Sequence, residues 1–90
     1  MFVCLYFGKQ EQFSSEWWNI AARGFYTAKD AERHGKYMMP TAGVLGFAVI
    51  KENEDSWELI ERESMLPPNY SLSCHNHKFS IQPAPQLSFV

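Results

Sequence analysis

Cysteine, glycine and long apolar runs are all scarce in this sequence, and each scarcity removes a class of protein. Only Cys4 and Cys74 occur among 90 residues, whereas a secreted domain this small leans on several disulfides because its core is limited. A reducing, cytoplasmic compartment is therefore expected, with Cys4 a buried, reduced thiol inside its apolar segment. The stretch from Met1 to Lys9 places no basic residues ahead of its apolar run, and that run is far shorter than a membrane span. Neither a signal peptide nor a membrane contact is expected. The glycines stand at positions 8, 24, 35, 43 and 46, never as a phosphate-cradling loop, which excludes the standard nucleotide fingerprints. Ser14 and Ser15 lack the Gly-x-Ser-x-Gly context of an activated nucleophile, and no acid, base and nucleophile cluster along the chain, so no enzymatic activity and no cofactor are expected.

What the chain does have is apolar mass. Hydrophobic residues make up 46% of it, including seven Phe, four Tyr and three Trp, enough for a packed core in one domain. Phe2 to Phe7 is an unbroken apolar run closed by Gly8, the pattern of a strand buried on both faces. Trp17 to Arg23 reads as a strand or as a helix capped by Ser14 or Ser15; the strand is preferred because a tryptophan pair suits a pleated surface and Gly24 interrupts a longer helix. Thr27-Ala28-Lys29-Asp30 matches a capping box, so a helix starts there. Ala28, Ala31 and Gly35 follow as a narrow stripe of small residues that lets it lie close to a sheet, and Pro40 stops it. Val44 to Ile50 is a second apolar strand, followed by a polar turn and a returning strand from Trp57 to Arg62.

These elements predict an α+β domain over residues 1–64. It consists of an antiparallel sheet of three or four strands, 2–7, 17–23, 44–50 and 57–62, with helix 28–38 packed on one face. Residues 65–90, with Pro67, Pro68, Pro83 and Pro85, form a C-terminal extension that drapes over the domain, adds a short strand around 78–82, or docks onto a partner.

Three constellations invite a functional reading. Cys74, His75 and His77 offer soft metal ligands, but their spacing does not supply the two separated pairs of a structural zinc site, and an ordinary polar loop is the simpler reading. Lys29, Arg33 and Lys36 recur at helical spacing, but Asp30 and Glu32 interleave with them, the composition of a solvated helix face; with a net charge of −2, nucleic-acid binding is not expected. His34, in the same helix, reads as a surface position.

The third constellation is more informative. Glu52, Glu54, Asp55, Glu58, Glu61 and Glu63 face only Arg62 between positions 52 and 63, making one end of the domain acidic. The rings outnumber what one thin sheet and a short helix can hide. Trp17, Trp18, Tyr26 and Tyr37 with Glu52, Glu54, Asp55 and Glu58 are thus the candidate partner-binding residues, as aromatic anchors or as a phosphate-mimicking acidic edge. Edge protection accounts for the acids without any partner, and homodimerisation is compatible with the same rings.

Tyr26 to Arg33, followed by Gly46 to Ile50 and Trp57 to Ile60, resembles a layout found in small phage and mobile-element proteins, including some anti-CRISPR proteins. The resemblance covers about residues 17 to 62 and is one of layout without a diagnostic motif. It implies an inhibitor that occupies the surface of a host protein complex. A metal-binding protein using Cys74, His75 and His77, or a small nucleic-acid-binding module, is the alternative.

Overall fold

The apolar run at the start of the chain forms the strand that everything else covers. In a computed structural model, which describes residues 1–9, 16–41, 43–75 and 78–84, β1 (Phe2–Gly8) lies between β2 (Trp18–Phe25) and β3 (Val44–Glu52). With β4 (Trp57–Leu59) these form a four-stranded antiparallel sheet of order β2-β1-β3-β4. Val3 to Phe7 are buried without interruption, because alternate side chains enter two separate cores. Val3, Leu5 and Phe7 join Ala48 and Ile50 on one face; Cys4 and Tyr6 join Phe47 and Val49 on the other. The segment read ambiguously from sequence is strand β2. At its end Gly24 takes φ +95 where the β1–β2 register shifts, a bulge conformation that a side chain resists.

The helix covers the second face. α1 (Ala28–Met38) starts where the capping box predicts, with the Thr27 Oγ1 accepting the Asp30 N–H at 3.1 Å. Ala31 and Gly35 are its buried positions. A Cβ at Gly35 would stand only 2.4 Å from the Phe47 ring, so the missing side chain is what lets the helix descend onto the sheet. The helix packs mainly over β1 and β3 and much less over β2. His34, expected on the surface, is half-buried between the rings of Tyr6 and Phe25, with centroids at 5.8 and 5.4 Å. Its place next to buried Gly35 turns it toward the sheet rather than away.

A further correction concerns the second half of the chain. The strand expected over 57–62 stops at Leu59, because Glu61–Glu63 form a 3₁₀ turn. The chain then returns to the edge of β3: the Ser64 Oγ accepts the Val49 N–H at 2.8 Å, and Met65 exchanges two 2.9 Å backbone bonds with Phe47. The hydroxyl thus replaces the ladder bond that a continuous strand would have made.

Pro67-Pro68-Asn69-Tyr70 then forms a turn, with Asn69 at φ 67 and the Tyr70 N–H donating to the Pro67 carbonyl at 3.2 Å; Pro in the first central position and Asn in the second is the composition such a turn requires. Beyond it lies a separate two-stranded sheet, β5 (Tyr70–His75) and β6 (Lys78–Pro83). Tyr70, Leu72, Phe79 and buried Ile81 pack against the face of the main sheet that the helix leaves open. The Asn19 side-chain amide donates to the Phe79 carbonyl at 3.0 Å and fastens this hairpin to β2. The main sheet is therefore the middle of three layers, helix above and hairpin below. Among the described residues no helix is long and apolar enough to cross a membrane.

Candidate functional site

Where the hairpin stops covering the sheet, a groove of about 650 Å³ opens between the β3–β4 turn and β5–β6. It is lined by Arg23, the Glu52–Trp57 segment, Cys74 and Phe79. Register explains who faces it. Glu52 is opposite Trp57, and Leu59 is opposite Ile50, so Glu52 and Trp57 project on the hairpin side of the sheet, where Ile50 and Leu59 pack. The turn itself is closed by the Asn53 N–H donating to the Ser56 carbonyl at 2.9 Å, with Glu54 and Asp55 at its tip. Neither residue has positive φ, so the turn is not one of the favoured primed hairpin types.

The groove carries uncompensated negative charge. Arg23 pairs with Glu52 across the intervening β1, whereas Glu54 and Asp55 are exposed and make no ion pair among the described residues. Trp57 meets Phe79 edge to face at 5.0 Å and remains 39% exposed. A half-exposed indole beside two free carboxylates suits one kind of guest. The ring face attracts a cation, the carboxylates accept its N–H donors, and the alkyl stem of a Lys or Arg side chain can lie along the apolar wall.

The remaining residues singled out from sequence do not gather here. Glu58 is opposite Lys51, one position out of phase with Trp57, and so projects from the helix side of the sheet. Trp17 packs in the hairpin-side core, edge to face with Tyr70 at 5.0 Å and with the Lys9 ammonium 4.5 Å from its ring. Trp18 packs on the helix side and closes over Gly8, where a Cβ would meet its ring at 2.2 Å. Tyr26 and Tyr37 are 84% and 79% exposed, but Tyr26 precedes the helix and Tyr37 lies in its last turn, so most of the helix length separates them.

The other two constellations are also resolved in part. The basic helix positions are engaged by their neighbours: Lys29 with Glu32 and Glu63, Lys36 with Glu32, and Arg33 with Asp30, at 3.5 to 3.7 Å. Cys74 and His75 are consecutive in β5 and project to opposite sides of it, Cys74 into the groove and His75 into solvent; His77 lies outside the described residues. Among the described residues no three His, Cys, Asp or Glu side chains converge as metal ligands. Sequence reasoning missed Trp57, Cys74 and Phe79 as groove residues, although the alternation Tyr70-Ser71-Leu72-Ser73-Cys74 and Phe79-Ser80-Ile81 signals a one-sided strand pair that must lie on an apolar face.

Comparison with known proteins finds no matching family model, no matching curated protein and no matching solved structure.

Proposed function

We propose that this chain is a non-enzymatic protein-binding inhibitor of the kind found in phages and mobile elements, including anti-CRISPR proteins. It acts by seating the groove of Glu52, Glu54, Asp55, Trp57 and Phe79 on a basic surface of a host defence or nucleic-acid-processing complex. The observation that supports this reading is the meeting, in one open groove, of an exposed indole with two carboxylates that make no ion pair among the described residues. Proteins that handle nucleic acid present Lys and Arg in channels, and such a groove competes for them as a phosphate strand would.

The test uses immobilised chain, a lysate of the host cell and mass spectrometry. Wild type is compared with the double variant Glu54→Lys, Asp55→Lys and with Trp57→Ala, each in the presence and absence of short duplex DNA. The expected result is a nucleic-acid-binding protein retained by wild type, lost with either variant, displaced by the DNA and weakened by salt. Retention that is indifferent to the reversed charges and to salt would remove the phosphate-strand mechanism. Retention of no nucleic-acid-binding protein would remove the inhibitor reading itself.

A further inference from the structure

We infer that β2 pairs with β2 of a second copy of this chain, joining the two sheets across a two-fold axis at Ile20. The premise is that the two edges of the sheet are treated differently. Outside β3, the last ladder strand has three residues, followed by the charged turn Glu61–Glu63 and the Ser64 and Met65 contacts that occupy the remaining edge. Short strands, charge and irregular backbone are how proteins block an edge. β2, at the other end of the strand order, has eight residues, no proline and one charge, Arg23. Its only irregularity is Gly24, near its end. Among the described residues no strand pairs with its outer side, and a row of backbone donors and acceptors this long is a template for another strand.

The side chains choose the occupant. Opposed residues of an antiparallel pair share a face, so a two-fold pairing matches residues of equal parity. Centred on Ile20, it sets Ile20 against its own copy, Asn19 against Ala21, Trp18 against Ala22 and Trp17 against Arg23. Arg23, the one charged residue of β2, never meets its own copy in this register. The axis falls where the molecule has apolar surface left over: Ile20 is opposite Tyr6 of β1, on the helix side, yet it is 52% exposed because the helix lies over β1 and β3. Its neighbours Asn19, Ala21 and Ala22 are small enough to admit another strand. The inference does not rest on the groove reading.

Sedimentation equilibrium over concentrations up to about 1 mM, the range a small interface demands, is expected to show a reversible monomer–dimer equilibrium. Ile20→Lys places two ammonium groups at the axis and removes the apolar contact; it is expected to weaken self-association by more than about ten-fold while leaving the circular dichroism spectrum unchanged. In a Cys74→Ser background, Ile20→Cys is expected to cross-link two chains under mild oxidation, since directly opposed strand residues fall within disulfide reach, whereas Leu45→Cys, also an exposed position, does not. A wild type that stays monomeric throughout the range overturns the inference and leaves the edge to a strand of some other protein. A dimer that survives Ile20→Lys and gives no cross-link at position 20 overturns it in favour of a different surface.

Discussion

Replacing Gly35 with alanine sets two physical effects against each other, and the structure says which should prevail. Helix propensity alone favours alanine by up to about 1 kcal/mol at an interior helix position. Against this, the new Cβ would lie 2.4, 2.5 and 2.7 Å from three ring carbons of Phe47, where ordinary carbon contacts are about 3.5 to 4.0 Å. The ring cannot withdraw easily. Phe47 is fully buried and its backbone is held by the paired bonds to Met65. The helix must rise by roughly 1 Å, opening contacts along its buried stripe, and overpacking of this kind costs typically ~1–3 kcal/mol. The net expectation is a loss of up to about 2 kcal/mol. Urea unfolding followed by tryptophan fluorescence should show a lower midpoint with an unchanged slope. A double-mutant cycle with Phe47→Leu makes the cause specific: with the ring gone, Gly35→Ala should be much less harmful, giving a coupling of about 1 kcal/mol or more. A stabilising Gly35→Ala, or strict additivity with Phe47→Leu, would refute the close approach of helix and ring.

Three other expectations follow from single residues. Burial pushes the Cys4 thiol from 9.0 up to about 12, so its contribution to stability is intact below pH 9.0 and is lost as pH rises toward 12. At about 1.4 kcal/mol per pH unit this approaches ~4 kcal/mol, and wild type should lose stability more steeply than Cys4→Ala in alkaline urea titrations; parallel slopes would count against a buried thiol. Gly24→Ala meets no atom within 4 Å, so a loss of about 1–2 kcal/mol there would come from the positive φ alone, and Gly24→Asn should recover part of it; equal losses for the two would point to a contact instead. Ile81→Ala should cost about 2–5 kcal/mol by leaving a cavity under the hairpin, whereas a near-zero change in the thermal midpoint would mean that β5–β6 contributes nothing to the main core.

Much of the main sheet was legible because its signals are local. Phe2 to Phe7 announces a strand covered on both faces, Thr27 and Asp30 mark where the helix begins, and Ala31 with Gly35 gives the stripe it buries. The acidic residues were visible as a group, yet not as a site. Glu58 is one residue away from Trp57, and that single step sends it to the other side of the sheet. Trp17 and Trp18 are adjacent as well, and the pleat sends one ring into each core, so neighbours in sequence were parted by the alternation of a strand. The early end of β4 was not legible either, because it depends on Ser64 reaching back to the Val49 N–H, a contact between residues whose proximity only the fold establishes.

The chain alone thus determined which segments extend, where the helix starts and how closely it can approach the sheet, since propensity, capping and side-chain size act over a few residues. The tertiary structure decided what no local rule carries. It placed the C-terminal hairpin on the open face of the sheet, brought Arg23, Trp57 and Phe79 together with the acidic turn, and left β2 at the end of the strand order. Those outcomes depend on which apolar faces find each other in space, and residues far apart in the chain share that choice only once the backbone has closed on itself.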